Sequence, residues 1–261
     1  MTSTKNNLIL GTAVHCTIDQ IKPFILSAKK YCPGAHIALV VAPDEDKNLI
    51  EYLNSQQIQI IYFVSQFFIL TRIHNTRFIK YLEFLLENAF RSVFLTDVTD
   101  VVFQGDVFSE NLQGLHVFQE DAKHFCGTEP HNAWWIKNNY GEIIRQQMES
   151  APIFCSGTIL GDQNSIVQFL TRFLQERSPQ KFIQLGGKED DQGPFNYLIH
   201  TEQIQRTKHS NGALVATVCL TDDSDIQIKD NVIETYGTIP KVVHQYVKKP
   251  MLVDLVKRLY L

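Results

Sequence analysis

The chain has 261 residues, 44% of them hydrophobic and 20% charged, with a formal net charge of -4. That length suits one large domain or two small ones, and the apolar share argues against a chain that is disordered throughout. The mild negative charge argues against a protein built chiefly to neutralise nucleic-acid phosphates. No run approaches the roughly 18–20 apolar residues of a membrane span; the nearest, over 58–70, is broken by Gln59, Ser65 and Gln66. Residues 1–7 are polar and lead straight into an apolar strand, without the apolar core of a signal peptide. Cys16, Cys32, Cys126, Cys155 and Cys219 are scattered and include no Cys-x-x-Cys pair. Reduced thiols and a cytoplasmic location are therefore expected, rather than a disulfide framework or a structural zinc site. Cys155 and Cys219 read as small apolar filler.

The first half alternates between two hydrophobic patterns. A short apolar run over 8–14 predicts a buried parallel strand, and 18–31 predicts a helix with Asp19 near its start. After Pro33-Gly34 come a second strand over 36–42, a helix from Pro43 to about 53, and a third strand over 58–64. Residues 72–90 form a strong helical pattern, with Phe78, Leu82, Leu85, Leu86 and Ala89 on one face. A fourth strand over 93–96 follows. The second half is less regular. Strands are predicted over 115–119 and 152–155, with 158–160 continuing after Ser156-Gly157, and later over 213–220 and 242–245. Helices are predicted over 163–176, 190–200 and 250–259. Strand–helix–strand alternation implies an α/β fold with a parallel sheet covered by helices. A single domain is expected, with a nucleotide half over about 1–104 and a second-substrate half over about 105–261.

The fourth strand runs into Asp97-Val98-Thr99-Asp100, followed by the apolar Val101-Val102-Phe103. In parallel sheets ligands sit outside the carboxyl ends of the strands, so both carboxylates fall where a site is expected. Hard divalent cations prefer carboxylate oxygens, often with phosphate oxygens completing the shell. The plainer reading is a pair of turn residues, since Asp is common in turns.

Four patches in order resemble the GT-A type glycosyltransferases, and within them the family 8-like enzymes. They are Leu8-Ile9-Leu10-Gly11-Thr12-Ala13, the strand Phe94 to Val102 with its aspartates, the run Phe154 to Gly161 with Ser156-Gly157, and Asp190-Asp191-Gln192…Asn196 followed by Val243-His244-Gln245-Tyr246. The resemblance implies a GT-A fold: a Rossmann-like mixed sheet flanked by helices. It implies transfer of a sugar from a nucleotide diphosphate sugar, a UDP-sugar first among them, to a hydroxyl acceptor on a glycan or other molecule. Thr12 and Ala13 would then border the nucleotide, and Ser156, Gly157, Asp190 and Gln192 the donor sugar. Asp100 and the late His244 would hold Mn²⁺ or Mg²⁺, with Asp97 serving either the metal or the ribose. One departure stands out: the family pattern is Asp-x-Asp, and here the spacing is Asp-x-x-Asp.

The other candidates each carry a bland alternative. Asp190 and Asp191 suit a helix start electrostatically. In the functional reading Asp191 is the catalytic residue, as a general base or as a stabiliser of positive charge on the sugar. Arg77 or Arg72 would reach the diphosphate or the donor sugar, since guanidinium matches phosphate geometry; solvated helix charge covers at least two of Arg72, Arg77 and Lys80. Lys241, Lys248 and Lys249 flank His244 and either screen diphosphate charge or are simply solvated. Trp134 or Trp135 suits an acceptor or lid region, though a buried core tryptophan is the commoner case. Two other functions stay open: a phosphohydrolase of the haloacid dehalogenase type, which also uses strand-end aspartates, and a non-catalytic nucleotide-sugar binding protein.

Overall fold

A computed structural model describes residues 6–63, 73–177, 191–201 and 203–261. Strand β1 (Asn7–Thr12) leads into helix α1 (Ile18–Tyr31), whose start is fixed by a reciprocal capping box between Thr17 and Gln20. Strand β2 (Ala35–Val41), helix α2 (Lys47–Ser55) and strand β3 (Gln59–Tyr62) follow. Helix α3 (Ile73–Glu87), strand β4 (Ser92–Thr96) and the short strand β5 (Val101–Phe103) complete the first half. The second half contains β6 (Leu115–Gln119), α4 (Pro130–Tyr140), α5 (Glu142–Gln147), β7 (Phe154–Asp162), α6 (Gln163–Glu176) and α7 (Gln192–His200). After these come β8 (Thr207–His209), β9 (Val215–Thr217), the hairpin β10 (Ile226–Lys229) and β11 (Val232–Thr235), β12 (Val242–His244) and α8 (Pro250–Tyr260).

The main sheet has seven strands in the order β3-β2-β1-β4-β7-β6-β8. The first four are parallel; β7 runs antiparallel to both β4 and β6. The protein is thus α/β with a sheet flanked by helices, as the alternation of patterns implied, but the sheet is mixed rather than wholly parallel because β7 runs against its neighbours. Alternate residues of β1 explain why its run is apolar throughout. Ile9 packs into one core with Phe24, Leu39, Leu49 and Phe94, under α1 and α2. Leu8 and Leu10 pack into the other with Phe78, Tyr81, Phe169 and Phe195, under α3, α6 and α7. A strand buried on both faces cannot alternate with polar residues.

A second sheet, β5-β12-β9, stands beside the first. The Phe103 N–H donates to Ser27 Oγ at 3.0 Å, tying β5 to α1, and α8 covers the sheet through Leu252, Leu255 and Val256. Several details differ from the sequence-based expectation. The segments on either side of Ser156-Gly157 form one continuous strand, and the irregularity appears instead as a register shift against β6 between Val117 and Gln119. The predicted helix start at Asp190 and the residue Arg72 lie outside the described residues. Among the described residues no helix is long and apolar enough to cross a membrane.

Candidate metal centre

Strand order reverses at β1, whose neighbours are β2 on one side and β4 on the other. A crevice outside the carboxyl ends of the strands is expected at such a point. The chain turns there directly after β4. Val98 is 2% exposed and lies over Gly11 so closely that a Cβ on that glycine would stand 2.4 Å from Val98 Cγ1. Anchored by Val98, the turn leaves Asp97 and Asp100 on its outer side. The Asp97 N–H donates to the Gly157 carbonyl at 2.9 Å, fixing the turn to β7.

His244 comes from β12, which pairs antiparallel with β5 so that His244 sits opposite Val101, the residue after Asp100. Its Nε2 lies 3.2 Å from Asp97 Oδ2 and 3.6 Å from Asp100 Oδ1. One ligand atom from each of the three residues falls within 4.8 Å of the others. His244 Nδ1 faces the Cys155 sulfur at 3.3 Å, so a proton on Nδ1 leaves the Nε2 lone pair toward the carboxylates.

The residues fit a divalent cation on three counts. Asp100 Oδ1 is buried and has no hydrogen-bond partner among the described residues, a costly state for a carboxylate oxygen unless something positive meets it. The separations of 3.2 and 3.6 Å compare with the roughly 3 Å between neighbouring ligands in an octahedron with bonds of about 2.1 Å. Gly157 makes room for the ligands themselves: a Cβ there would stand 2.5 Å from Asp97 Oδ2 and 2.6 Å from His244 Cε1. Two carboxylates with one imidazole suit Mn²⁺ well, and the carboxylates suit Mg²⁺.

The electrostatics are those of closely packed unlike charges. Burial alone would raise the Asp97 carboxyl, but the Arg77 guanidinium and His244 outweigh it and hold Asp97 well below the usual carboxylate range. Burial wins at Asp100, whose carboxyl is pushed up with Asp97 adding to the shift; His244 and Lys248 pull it back. Burial would drive His244 neutral, yet Cys155, Asp100 and Asp97 raise it well above the ordinary imidazole value.

Arg77, on α3, spans two elements. Its Nη1 donates to Asp97 Oδ1 and its Nη2 to Asp191 Oδ2, the latter at 2.6 Å. Ser156 Oγ donates to Asp191 Oδ1 at 3.1 Å, and the Ser156 N–H to Gln192 Oε1 at 3.4 Å. Arg77, Asp97, Asp100, Asp191, Gln192, Ser156, Gly157 and His244, predicted from five separate stretches of sequence, therefore form one contiguous cluster. Thr12 closes the end of β1, its Oγ1 2.7 Å from the Tyr81 hydroxyl.

Two predicted residues stand differently. Ala13 is fully buried in the core and its N–H is bound to the Val40 carbonyl, so its side chain offers no ligand surface. Lys249 Nζ is committed to the Thr221 carbonyl at 2.6 Å and to Asp223 at 2.8 Å. The exposed Lys248 is the lysine whose charge acts on Asp100. Asp190 lies outside the described residues. Sequence reasoning missed Tyr81, Glu120, Asn132 and the contact of Cys155 with His244. The proximity of Cys155 to Gly157, two residues on, was the one available signal. The sequence matches no protein-family model and no curated protein.

Proposed function

We propose that the chain is a GT-A type, family 8-like glycosyltransferase that moves a sugar from a nucleotide diphosphate sugar, a UDP-sugar in the first instance, to a hydroxyl acceptor. The observation that carries this reading is the meeting of Asp97, Asp100 and His244 at the carboxyl end of β4, with one buried carboxylate oxygen left without a hydrogen-bond partner. These three residues would hold Mn²⁺ or Mg²⁺. Such an ion supplies Lewis-acid neutralisation of a departing diphosphate without proton transfer.

The chain's own groups then divide the remaining work. Thr12, at the open end of β1, would border the nucleotide. Arg77 orients two carboxylates at once, holding Asp97 toward His244 and Asp191 toward Ser156. Both Asp191 oxygens already accept hydrogen bonds. Asp191 would act on the donor sugar side as a general base or as a stabiliser of positive charge. Gly157 lets Asp97 and His244 close on the backbone of β7 beside the donor sugar's place. The phosphohydrolase alternative fares worse, because the Asp97 carboxylate it would use as a nucleophile is bound by Arg77 and faces His244.

A panel of nucleotide sugars, each with and without Mn²⁺, tests the proposal through slow hydrolysis of the donor, with no acceptor needed. Turnover of one donor, dependent on the ion, is the expected result. Asp100→Ala should lower that rate by at least about a hundredfold while leaving the melting transition cooperative. Full activity in Asp100→Ala would remove the metal assignment, and release of phosphate from phosphomonoesters would move the protein to the other class.

A further inference from the structure

Behind Gln192, on the side away from Asp97, lies a buried polar cluster that the proposed chemistry does not use. Glu120 extends β6, with its N–H on the Ile153 carbonyl, and is 4% exposed. Asn132, in the first turn of α4, is also 4% exposed, and Glu129 caps that helix at 7%. Glu129 Oε2 accepts from the Asn132 N–H at 2.8 Å and from Asn132 Nδ2 at 2.7 Å. The Asn132 amide nitrogen thereby faces Glu129, and its Oδ1 points the other way. Gln192 Nε2 meets that oxygen at 3.1 Å and Glu120 Oε1 at 3.0 Å.

Both acceptors lie on one side of the Gln192 amide, so its orientation is not free. The nitrogen faces Glu120 and Asn132, and the carbonyl oxygen faces the Ser156 N–H. Ser156 in turn holds Asp191. Burying Glu120 is expensive: burial, aided by Glu129, pushes its carboxyl up to about 7 against the pull of Gln192, His244 and Cys155. A group that costs stability beside a functional cluster is more readily explained by the cluster than by the fold.

We propose that Glu120 and Asn132 are positioning residues that lock the Gln192 side chain with its carbonyl oxygen toward β7 and so set the Ser156–Asp191 arm of the site. The kinetic part of this inference rests on the glycosyltransferase reading; the structural part does not. Glu120 and Asn132 touch neither the metal ligands nor, on this assignment, the substrate. Asn132 acts through Gln192; Glu120 does so too, and it also lies within reach of Cys155 and of the His244 charge.

Two readouts in the full chain test it. The first is hydrogen exchange of the Gln192 side-chain NH₂ in ¹⁵N-labelled protein, assigned by the resonance pair that disappears in Gln192→Glu. Protection of at least about tenfold over a free amide is expected. It should be lost in Glu120→Ala and kept in Glu120→Gln, whose amide oxygen can still accept. The second is donor turnover. Glu120→Ala and Asn132→Ala should each lower kcat by about tenfold, with KM for the donor within about twofold. In a Gln192→Ala background Asn132→Ala should not lower kcat further. An unprotected Gln192 amide in the wild type, or an equal loss on adding Asn132→Ala to Gln192→Ala, overturns the proposal. If Glu120→Ala fails to fold, Asn132→Ala and Glu120→Gln carry the same comparisons. If the wild-type chain turns over no nucleotide sugar, the functional reading falls, and the exchange measurement alone decides whether Gln192 is locked.

Discussion

Glu120 shows how one carboxyl can couple stability to pH. Its folded value stands near 7 against 4.5 for a free glutamate, chiefly through burial. Between those values the folded chain holds a proton that the unfolded chain has released, so stability falls as pH rises from about 4.5 to about 7. The full loss, on the order of 3 kcal/mol, is reached above that window. Glu120→Gln should be about as stable as wild type at pH 4.5 and increasingly more stable toward pH 8, as measured by urea unfolding at several pH values. A constant difference across that range would show that Glu120 is not buried as a neutral acid. Glu120 also shows why part of the site was not legible in the sequence. Asp97, Asp100 and His244 stand in recognisable patches, whereas Glu120 and Asn132 acquire a role only through neighbours more than 50 residues away, in Gln192. Cys155 read as filler because a thiol buried in a strand has no local signature; its partner arrives from β12.

At the scale of elements, β8 forms the far edge of the main sheet and is joined to β6 by a histidine pair. His116 Nε2 lies 2.8 Å from the Gln113 carbonyl and so must donate to it, and His116 Nδ1 lies 2.9 Å from His209 Nε2. In the neutral pair His209 is therefore the donor and His116 Nδ1 the acceptor. Burial, then His116, lowers the His209 value below 6.5, while Glu110 pulls it up. A depressed histidine favours the fold when neutral, so its contribution is present above pH 6.5 and is lost as pH falls below it. The backbone amides of β8, corrected for intrinsic exchange, should lose protection between pH 7.5 and pH 5.5 while those of β2 do not. His209→Phe should abolish the difference; a pH-independent β8 in the wild type would show that the His116–His209 pair does not hold the edge strand. Strands β1, β2 and β4 are buried on both faces and were legible as unbroken apolar runs, and β3, β6, β7, β9 and β12 were read as well. Helices α4 and α5 were not. In α4 the buried residues are Asn132 and Ile136, and in α5 there are none, so no apolar stripe marks either helix. The β10–β11 hairpin turns on Asp230 and Asn231, both with positive φ, a conformation those residue types tolerate but do not announce.

For the whole molecule, the candidate metal centre joins the main sheet, through Asp97 at the end of β4, to the second sheet, through His244 on β12. An ion bound only by the folded chain stabilises it by mass action, by about 2.7 kcal/mol at a hundredfold excess over Kd. For a chain of this size that corresponds to a rise in Tm of about 5–10 °C. Mn²⁺ should therefore raise the melting temperature of wild type, EDTA should reverse the rise, and Asp100→Ala should show none. Equal shifts in wild type and Asp100→Ala would place any binding elsewhere.

Three short ladders decide where the imidazole ends up. His244 faces Val101 on one side and Thr217 on the other, each across a strand of only three residues. Side chains alternate strictly along a strand, so sliding β12 by a single position would turn the histidine to the opposite face and bring Val243 to where it stood. Lengthening the 236–241 connection by one residue should thus be harmless if the added residue bulges outward and ruinous for the cation if it shifts the pairing, which makes metal affinity a ruler for strand alignment at that corner.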